Sequence, residues 1–231
     1  MYASRLKETL PRVREAIAAA AARAGRDGDD VTLVAVTKAH PLEALTATLE
    51  AGVEDLGENR IGELEEKVGV MGRDAATWHM VGHVQSRKAR DAVALADLVH
   101  SVDSLKLGRR LARFAEDRDG PLPILVQVNT SGEEAKYGFS PDEALEAIHE
   151  LVELGGLEVR GLMTMAPFVD DEVVLRRTFS GLRGVHEKAE TIPGYQALEL
   201  SMGMTNDFEL AVEEGSTMVR IGTALLGERP R

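Results

Sequence analysis

The chain has no cysteine and few aromatic residues, with one tryptophan, three tyrosines and five phenylalanines among 231 residues. Without cysteine it can form neither disulfide bonds nor thiolate metal sites, which fits a reducing compartment. It also lacks a run of 18 apolar residues, and charged residues interrupt the alanine-rich positions 1–26, where a secretion signal would need an apolar core. We therefore expect a cytoplasmic protein with no membrane partner.

Positively charged residues are in the minority. The chain has 27 lysines and arginines against 39 aspartates and glutamates, which gives a formal net charge of -12. This excess of negative charge disfavours a nucleic-acid partner or an anionic membrane surface. The six histidines form no H-E-x-x-H motif and cysteine is missing, so the sequence predicts no metal site.

No segment is rich enough in proline, glycine or serine to form a linker, so we expect a single domain over residues 1–231. After a helix at 3–24, strand-like and helix-like segments alternate along the chain. The predicted strands are 31–38, 55–58, 78–81, 98–102, 123–129, 157–165, 197–200 and 218–225. The predicted helices between them are 42–51, 61–71, 85–96, 104–116, 142–154, 171–189 and 206–214.

These strands recur about every 27 residues, a spacing typical of a (β/α)8 barrel. The alternative is an open doubly wound sheet, which usually carries a glycine-rich phosphate loop after its first strand. Here that loop is Lys-Ala-His-Pro at 38–41 and contains no glycine. We predict an α/β fold with a single TIM-type barrel. Its extra N-terminal helix either covers the bottom of the barrel or replaces the helix missing after the last strand.

Lys38 directly continues the apolar strand that begins at Val31. Burial of an ammonium group is costly, so it lowers the lysine pKa and yields the neutral amine that forms a Schiff base with a carbonyl. The alternative is that Lys38 only marks where the strand reaches the surface. In a barrel, however, functional groups gather at the carboxyl ends of the strands, which is where Lys38 lies.

Two segments with glycine and hydroxyl groups follow the last two strands, Ser-Met-Gly-Met at 201–204 and Arg-Ile-Gly-Thr at 220–223. This is the usual place for a phosphate site in a barrel, although turns also need glycine for their own geometry. Arg220 lies in an otherwise apolar strand and needs a partner, either a carboxylate or a ring nitrogen. An amine, a phosphate cup and a cation for a ring nitrogen are together what pyridoxal 5′-phosphate (PLP) requires.

Seven motifs, in order over nearly the whole chain, carry a resemblance to a known family. They are V-A-V-T-K at 34–38, G-E-N at 57–59, W-H-M-V-G at 78–82, N-T-S-G-E-E-A-K-Y-G at 129–138, G-L-M-T-M at 161–165, S-M-G-M-T-N-D at 201–207 and G-S-T-M-V-R-I-G-T at 215–223. With them the chain resembles the pyridoxal phosphate homeostasis protein family, which is related to the N-terminal barrel of alanine racemase. One departure is Arg87, where the family commonly has asparagine.

The resemblance implies PLP as the cofactor and a role in intracellular PLP homeostasis and vitamin B6 cofactor supply, with an indirect effect on amino- and keto-acid balance. PLP-dependent apo-enzymes would be the recipients. It implies these cofactor-binding residues: Lys38 as the Schiff-base lysine, Arg220 near the pyridine nitrogen, Ser201, Gly222 and Thr223 on the phosphate, and Asn59, His79 and Met163 around the ring. It also raises Lys136 as a second lysine for cofactor exchange.

An arginine at the pyridine nitrogen keeps that nitrogen unprotonated, so the ring is a poor electron sink and at most racemase-like chemistry is expected. A racemase also needs a second acid–base group, for which the resemblance to alanine racemase implies a tyrosine from an extra domain. Here only Tyr137 or His79 could serve. We therefore expect a monomeric cofactor carrier without efficient turnover. The alternatives are a weak PLP-dependent amino-acid racemase and a Schiff-base barrel enzyme that acts on a phosphorylated metabolite.

Overall fold

The computed structural model describes residues 1–133 and 136–228, and in them eight parallel strands close into a barrel in chain order. The strands are β1 Thr32–Val36, β2 Asp55–Glu58, β3 Thr77–Met80, β4 Leu98–Val102, β5 Leu122–Gln127, β6 Leu157–Met163, β7 Glu199–Ser201 and β8 Met218–Ile221. The helices are α1 Tyr2–Arg23, α2 Leu42–Glu50, α3 Ile61–Met71, α4 Ala89–Leu95, α5 Leu105–Ala115, α6 Pro141–Val152, α7 Glu172–Ala189, α8 Phe208–Glu213 and α9 Thr223–Leu226. The predicted (β/α)8 barrel with an extra N-terminal helix is confirmed.

Several strand boundaries differ from the prediction by one to four residues, and three of these differences have clear local reasons. The first strand ends at Val36, because Lys38 and Ala39 form a turn in which Ala39 has a φ of 59°. The seventh begins at Glu199 and not at 197, since Ala197 has a φ of 51° and left-handed backbone cannot continue a strand. The predicted strand 218–225 divides into β8 and the one-turn helix α9, with Gly222 at the junction.

Helix α1 replaces an eighth long helix in the outer ring. It packs against α2 on one side and against α8 and α9 on the other. The Thr9 hydroxyl donates to the carbonyl oxygen of Leu225 at 2.8 Å, and Arg26, just after the helix, donates to the carbonyl oxygens of Val212 and Ser216. Of the two positions predicted for this helix, the structure shows the second.

Side chains along the strands alternate between two environments, as the period of two dictates. Those that point outward, such as Trp78, Val99 and Leu200, pack against the helices in the main hydrophobic core. Those that point inward form a small apolar cluster that contains Val34 and Leu125. A set of buried polar side chains from β3, β4, β7 and β8 shares the interior with that cluster. The interior therefore carries polar groups from the amino-terminal to the carboxyl ends of the strands.

Candidate functional site

A cavity of about 390 Å³ opens at the carboxyl ends of the strands. It collects residues from β1 and β8 and from the segments after β1, β2, β3, β6, β7 and β8, which lie far apart in the sequence. Five of the predicted binding residues line it: Lys38, Asn59, Arg220, Gly222 and Thr223. Because these side chains converge on one cavity, it is the candidate functional site.

A buried ion pair between Lys67 and Glu58 stabilises the turn that carries Lys38. Lys67 Nζ donates to Glu58 Oε1 at 2.6 Å and to the carbonyl oxygen of Thr37 at 2.8 Å. The Thr37 hydroxyl donates to the same Glu58 oxygen at 2.5 Å. On the other side of the turn, the Ala39 N–H donates to Glu63 Oε2 at 2.7 Å. Lys38 is itself half-buried, so these contacts fix the backbone while its side chain reaches the cavity wall.

The Glu58 carboxylate is fully buried, and burial raises its pKa, while the hydrogen bonds from Lys67 and Thr37 oppose that rise. Its second oxygen, Oε2, makes no hydrogen bond within the described residues. Removing one partner of a buried pair leaves an uncompensated charge and costs about 3–5 kcal/mol. The Lys38 turn therefore depends on a pair that does not itself line the cavity.

Arg220 supplies a buried positive charge in the wall of the cavity. Its Nη1 donates to Ser201 Oγ at 2.6 Å and its Nη2 donates to the carbonyl oxygen of Thr164 at 2.9 Å. Burial lowers the Arg220 pKa to about 10, and the nearby Asp207 carboxylate opposes that shift. The guanidinium is still cationic at neutral pH, and these two bonds fix its orientation.

The loop after β7 forms the part of the wall next to Arg220, whose backbone N–H donates to the carbonyl oxygen of Gly203 at 3.0 Å, and its path requires glycine. Gly203 has a φ of 94°, and a Cβ placed there would lie 2.7 Å from Ala211 Cβ. Beyond it, Asp207 Oδ1 accepts from the Met204 N–H at 2.6 Å, and burial raises the Asp207 pKa. The Thr205 hydroxyl oxygen accepts from the Ala224 N–H at 3.3 Å and so ties this loop to α9.

Gly222 lets β8 turn into α9 close to the first strand. A Cβ there would come within 3.2 Å of the carbonyl oxygen of Val36. Small residues at 222 and 223 and the Thr205 hydroxyl thus bring backbone and hydroxyl donors to one side of the cavity. Such a surface suits an anion. Sequence reasoning did not select Thr205, although it lies in the motif 201–207 only one residue past the segment 201–204 that was singled out.

Three predicted residues lie elsewhere. Ser201 is behind the cavity wall, where its hydroxyl contacts Arg220 and the ring of His100 and not the anion side. Met163 belongs to the apolar cluster inside the barrel. His79 lines a second cavity at the amino-terminal ends of the strands. The resemblance implied a place for each of them around the cofactor, but the sequence does not show how deep in the barrel they sit.

Tyr137 and Lys136, from the loop after β5, lie at the mouth of the barrel. The Tyr137 ring is 57% exposed and stacks on His83 at a centroid distance of 4.1 Å, and His83 Nδ1 is 2.7 Å from Asp103 Oδ2. Lys136 Nζ pairs with Glu133 and donates to the carbonyl oxygen of Met165, which lines the cavity. Two positions of the motif 129–138, Glu134 and Ala135, lie outside the described residues.

Within the described residues no helix is long and apolar enough to cross a membrane. Across the same residues, no three histidine, aspartate or glutamate side chains are grouped closely enough to hold a metal ion.

The family model described as alanine racemase, N-terminal domain, matches residues 9–230. The chain is 35% identical over 222 residues to the pyridoxal phosphate homeostasis protein of Aquifex aeolicus (strain VF5), covering 96% of this chain and 97% of that protein. Its fold matches PipY of Synechococcus elongatus PCC7942 solved without PLP, with a TM-score of 0.85, 33% identity and coverage of 98% and 100% of the two chains. PipY with PLP bound matches with a TM-score of 0.79 and 35% identity over 86% of this chain and 93% of that one. The chain therefore belongs to the pyridoxal phosphate homeostasis proteins, within the alanine racemase N-terminal domain family.

Proposed function

We propose that this protein binds PLP in the cavity at the carboxyl ends of the strands, holds it through Lys38, and serves in intracellular PLP homeostasis and cofactor supply. The observation that carries the proposal is the convergence of Lys38, the Arg220 guanidinium and the turn at Gly222 and Thr223 on one cavity. PLP supplies an aldehyde for an amine, a pyridine nitrogen for a hydrogen-bond donor and a phosphate for backbone and hydroxyl groups.

Each part of the cavity suits one part of the cofactor. Arg220 faces the cavity with its orientation fixed, and the described hydrogen bonds use two of its five N–H donors. The small residues at 222 and 223, with the Thr205 hydroxyl, suit the phosphate. Asn59 lines the wall between β2 and the Lys38 turn and offers an amide to a ring substituent. Because the barrel fixes the positions of these groups, they favour tight binding of PLP.

The same arrangement favours holding over turnover. A cationic guanidinium at the pyridine nitrogen disfavours its protonation and leaves the ring a poor electron sink. Neither of the two residues considered as a second acid–base group is among the residues that line the cavity. The His79 ring is buried against Asp55 and His100, and Tyr137 is stacked on His83. A carrier of PLP therefore accounts for the site better than a racemase does.

The test is the visible absorption spectrum of the purified protein with added PLP, followed by borohydride reduction and peptide mapping. We expect a Schiff-base band that reduction removes, with the adduct on Lys38. Lys38→Ala should lose the band, whereas Lys106→Ala, which removes an exposed lysine on α5, should keep it. A wild-type protein that takes up no PLP would refute the proposal and favour the phosphorylated-metabolite enzyme. Steady amino-acid racemisation would favour the racemase.

The supply role and the oligomeric state need separate measurements. A carrier monomer with an open cavity should pass PLP to a PLP-dependent apo-enzyme faster than free diffusion of released cofactor allows. Stopped-flow reactivation of such an apo-enzyme, with and without a trap for free PLP, measures this transfer.

Light scattering after gel filtration should give the mass of one 25.0 kDa chain. Fractionation of the source cells tests the expected cytoplasmic location.

A further inference from the structure

A continuous chain of polar side chains crosses the interior of the barrel from one end to the other. Asp55 Oδ1 is 2.9 Å from His79 Nε2, and His79 Nδ1 is 2.9 Å from His100 Nε2. His100 Nδ1 is 2.9 Å from Ser201 Oγ, which accepts from Arg220 Nη1 at 2.6 Å. The bond between His100 and Ser201 spans the barrel from β4 to β7, so the chain joins the two sides of the interior.

Asp55, with neutral imidazoles beside it, favours one order of protons along this chain of side chains. A carboxylate can only accept, so His79 carries its proton on Nε2 and donates it to Asp55. The Nδ1 of a neutral His79 then accepts from His100 Nε2, and His100 Nδ1 accepts from the Ser201 hydroxyl. An arginine can only donate, so the Ser201 oxygen accepts from Arg220. In this order all four bonds run in one direction, and each imidazole is protonated on Nε2.

The surroundings of His100 favour a neutral ring. His100 and Ser201 are essentially inaccessible to solvent. Burial lowers the pKa of His100 well below its usual range, and the nearby His79 and Arg220 act in the same direction. Asp55, by contrast, has a side chain that is 31% exposed, at the rim of the cavity at the amino-terminal ends of the strands. The chain therefore connects a solvated carboxylate to the guanidinium at the opposite end.

We propose that Asp55 is a positioning residue for Arg220, because by accepting the Nε2 proton of His79 it fixes the direction of the whole chain and keeps Ser201 an acceptor for the guanidinium. Hydrogen bonds in such a chain polarise one another, so the Ser201 oxygen binds the guanidinium more strongly when its own proton is donated to His100. The consequence for PLP affinity rests on the proposed function. The proton positions do not.

Without Asp55, the hydrogen bonds between the two histidines and Ser201 could run in the opposite direction. With no carboxylate to accept the Nε2 proton, His79 can carry its proton on Nδ1 and donate to His100, which then donates to Ser201 from its own Nδ1. The Ser201 oxygen would then face N–H donors from both His100 and Arg220. Its hydroxyl proton would lose its acceptor, so the Ser201 oxygen would bind the guanidinium less strongly at the wall of the cofactor cavity.

The experiment measures the histidine tautomers by long-range nitrogen–proton NMR on full-length labelled protein, with PLP binding measured in parallel by absorption. His79→Gln and His100→Gln serve only to assign the resonances. The variants are Asp55→Ala, Asp55→Asn, whose amide oxygen can still accept from His79, and Glu54→Ala as the matched control. Glu54 is the adjacent exposed carboxylate, so its removal makes the same change in net charge. The Arg220 Nε resonance reports the guanidinium directly.

We expect both wild-type imidazoles to be neutral and protonated on Nε2, and Asp55→Ala to shift them toward the Nδ1 tautomer and move the Arg220 resonance. PLP affinity should fall about 2- to 30-fold in Asp55→Ala, the range of couplings between separated sites, while Asp55→Asn and Glu54→Ala stay near wild type. A wild-type ring protonated on Nδ1, or Asp55→Ala tautomers equal to wild type, would overturn the proposal. If wild type takes up no PLP, the proposed function fails, and the tautomers with the Arg220 resonance still decide this proposal.

Discussion

The ion pair between Lys67 and Glu58 offers the sharpest test of how the Lys38 turn is stabilised. Lys67→Met removes the cation and leaves Glu58, which is 0% exposed, with only the Thr37 hydroxyl as a partner. The carboxylate can escape this situation by taking up a proton. At pH 7 that proton costs about 3.7 kcal/mol, because an unperturbed glutamate has a pKa of about 4.3 and each unit corresponds to about 1.36 kcal/mol.

This cost sets both the size of the effect and its pH dependence. The free energy of unfolding should fall by about 3–4 kcal/mol at pH 7. In a chain of this length that corresponds to a Tm about 6–16 °C lower. Near pH 5 the loss should shrink to about 1 kcal/mol. The sign follows because the buried carboxyl has a pKa above that of the unfolded chain, so the folded variant binds more protons and loses stability as pH rises.

The assay is urea unfolding of the PLP-free protein at several pH values, followed by the fluorescence of Trp78, the single tryptophan, which is fully buried against the helices. The double variant Glu58→Gln/Lys67→Met has no buried carboxylate and should lose the pH dependence. Lys88→Met breaks an exposed pair with Asp91 and should leave stability unchanged. A loss in Lys67→Met that is under about 1 kcal/mol at pH 7, or that does not vary with pH, would refute the reasoning.

Two further predictions concern the loop after β7 and the loss of stability at acid pH. Gly203→Ala should lower the free energy of unfolding by about 2–4 kcal/mol and weaken PLP uptake, because Gly203 has a φ of 94° and an added Cβ would crowd Ala211. The control is Gly62→Ala, which has open space around it and should be neutral or stabilise by up to about 1 kcal/mol in the same urea assay. Burial lowers the pKa of His186, whose Nδ1 lies 2.5 Å from the Tyr195 hydroxyl. The unfolded chain therefore binds the proton more tightly than the folded protein does. The free energy of unfolding should fall as the pH drops below about 6.5. His186→Gln should flatten that fall in thermal melts from pH 7.5 to 5, and an equally steep fall in the variant would contradict the assignment.

The barrel and its cavity were accessible from sequence because they depend on local periodicity. Apolar strands at regular spacing predict the (β/α)8 order, and in that fold the residues after each strand meet at one end. Lys38, Asn59, Gly222 and Thr223 follow their strands directly or end them, so their convergence needs no knowledge of long-range contacts. Arg220 stood out because a cation in an apolar strand requires a buried partner.

What only the tertiary structure decided is which buried polar groups face each other. Ser201, His79 and His100 alternate correctly to point into the barrel, but sequence gives no depth along the barrel axis and no partner across it. Their contacts join positions 21 to 101 residues apart, from strands that are neighbours or opposites only after closure. The same holds for Lys67, which lies on a helix yet supports the turn of Lys38. The sequence by itself determined the order of strands and helices and which residues lie near the end of each strand, because these follow from local periodicity. The polar interior was decided by closure of the barrel, because its hydrogen bonds exist only between distant segments.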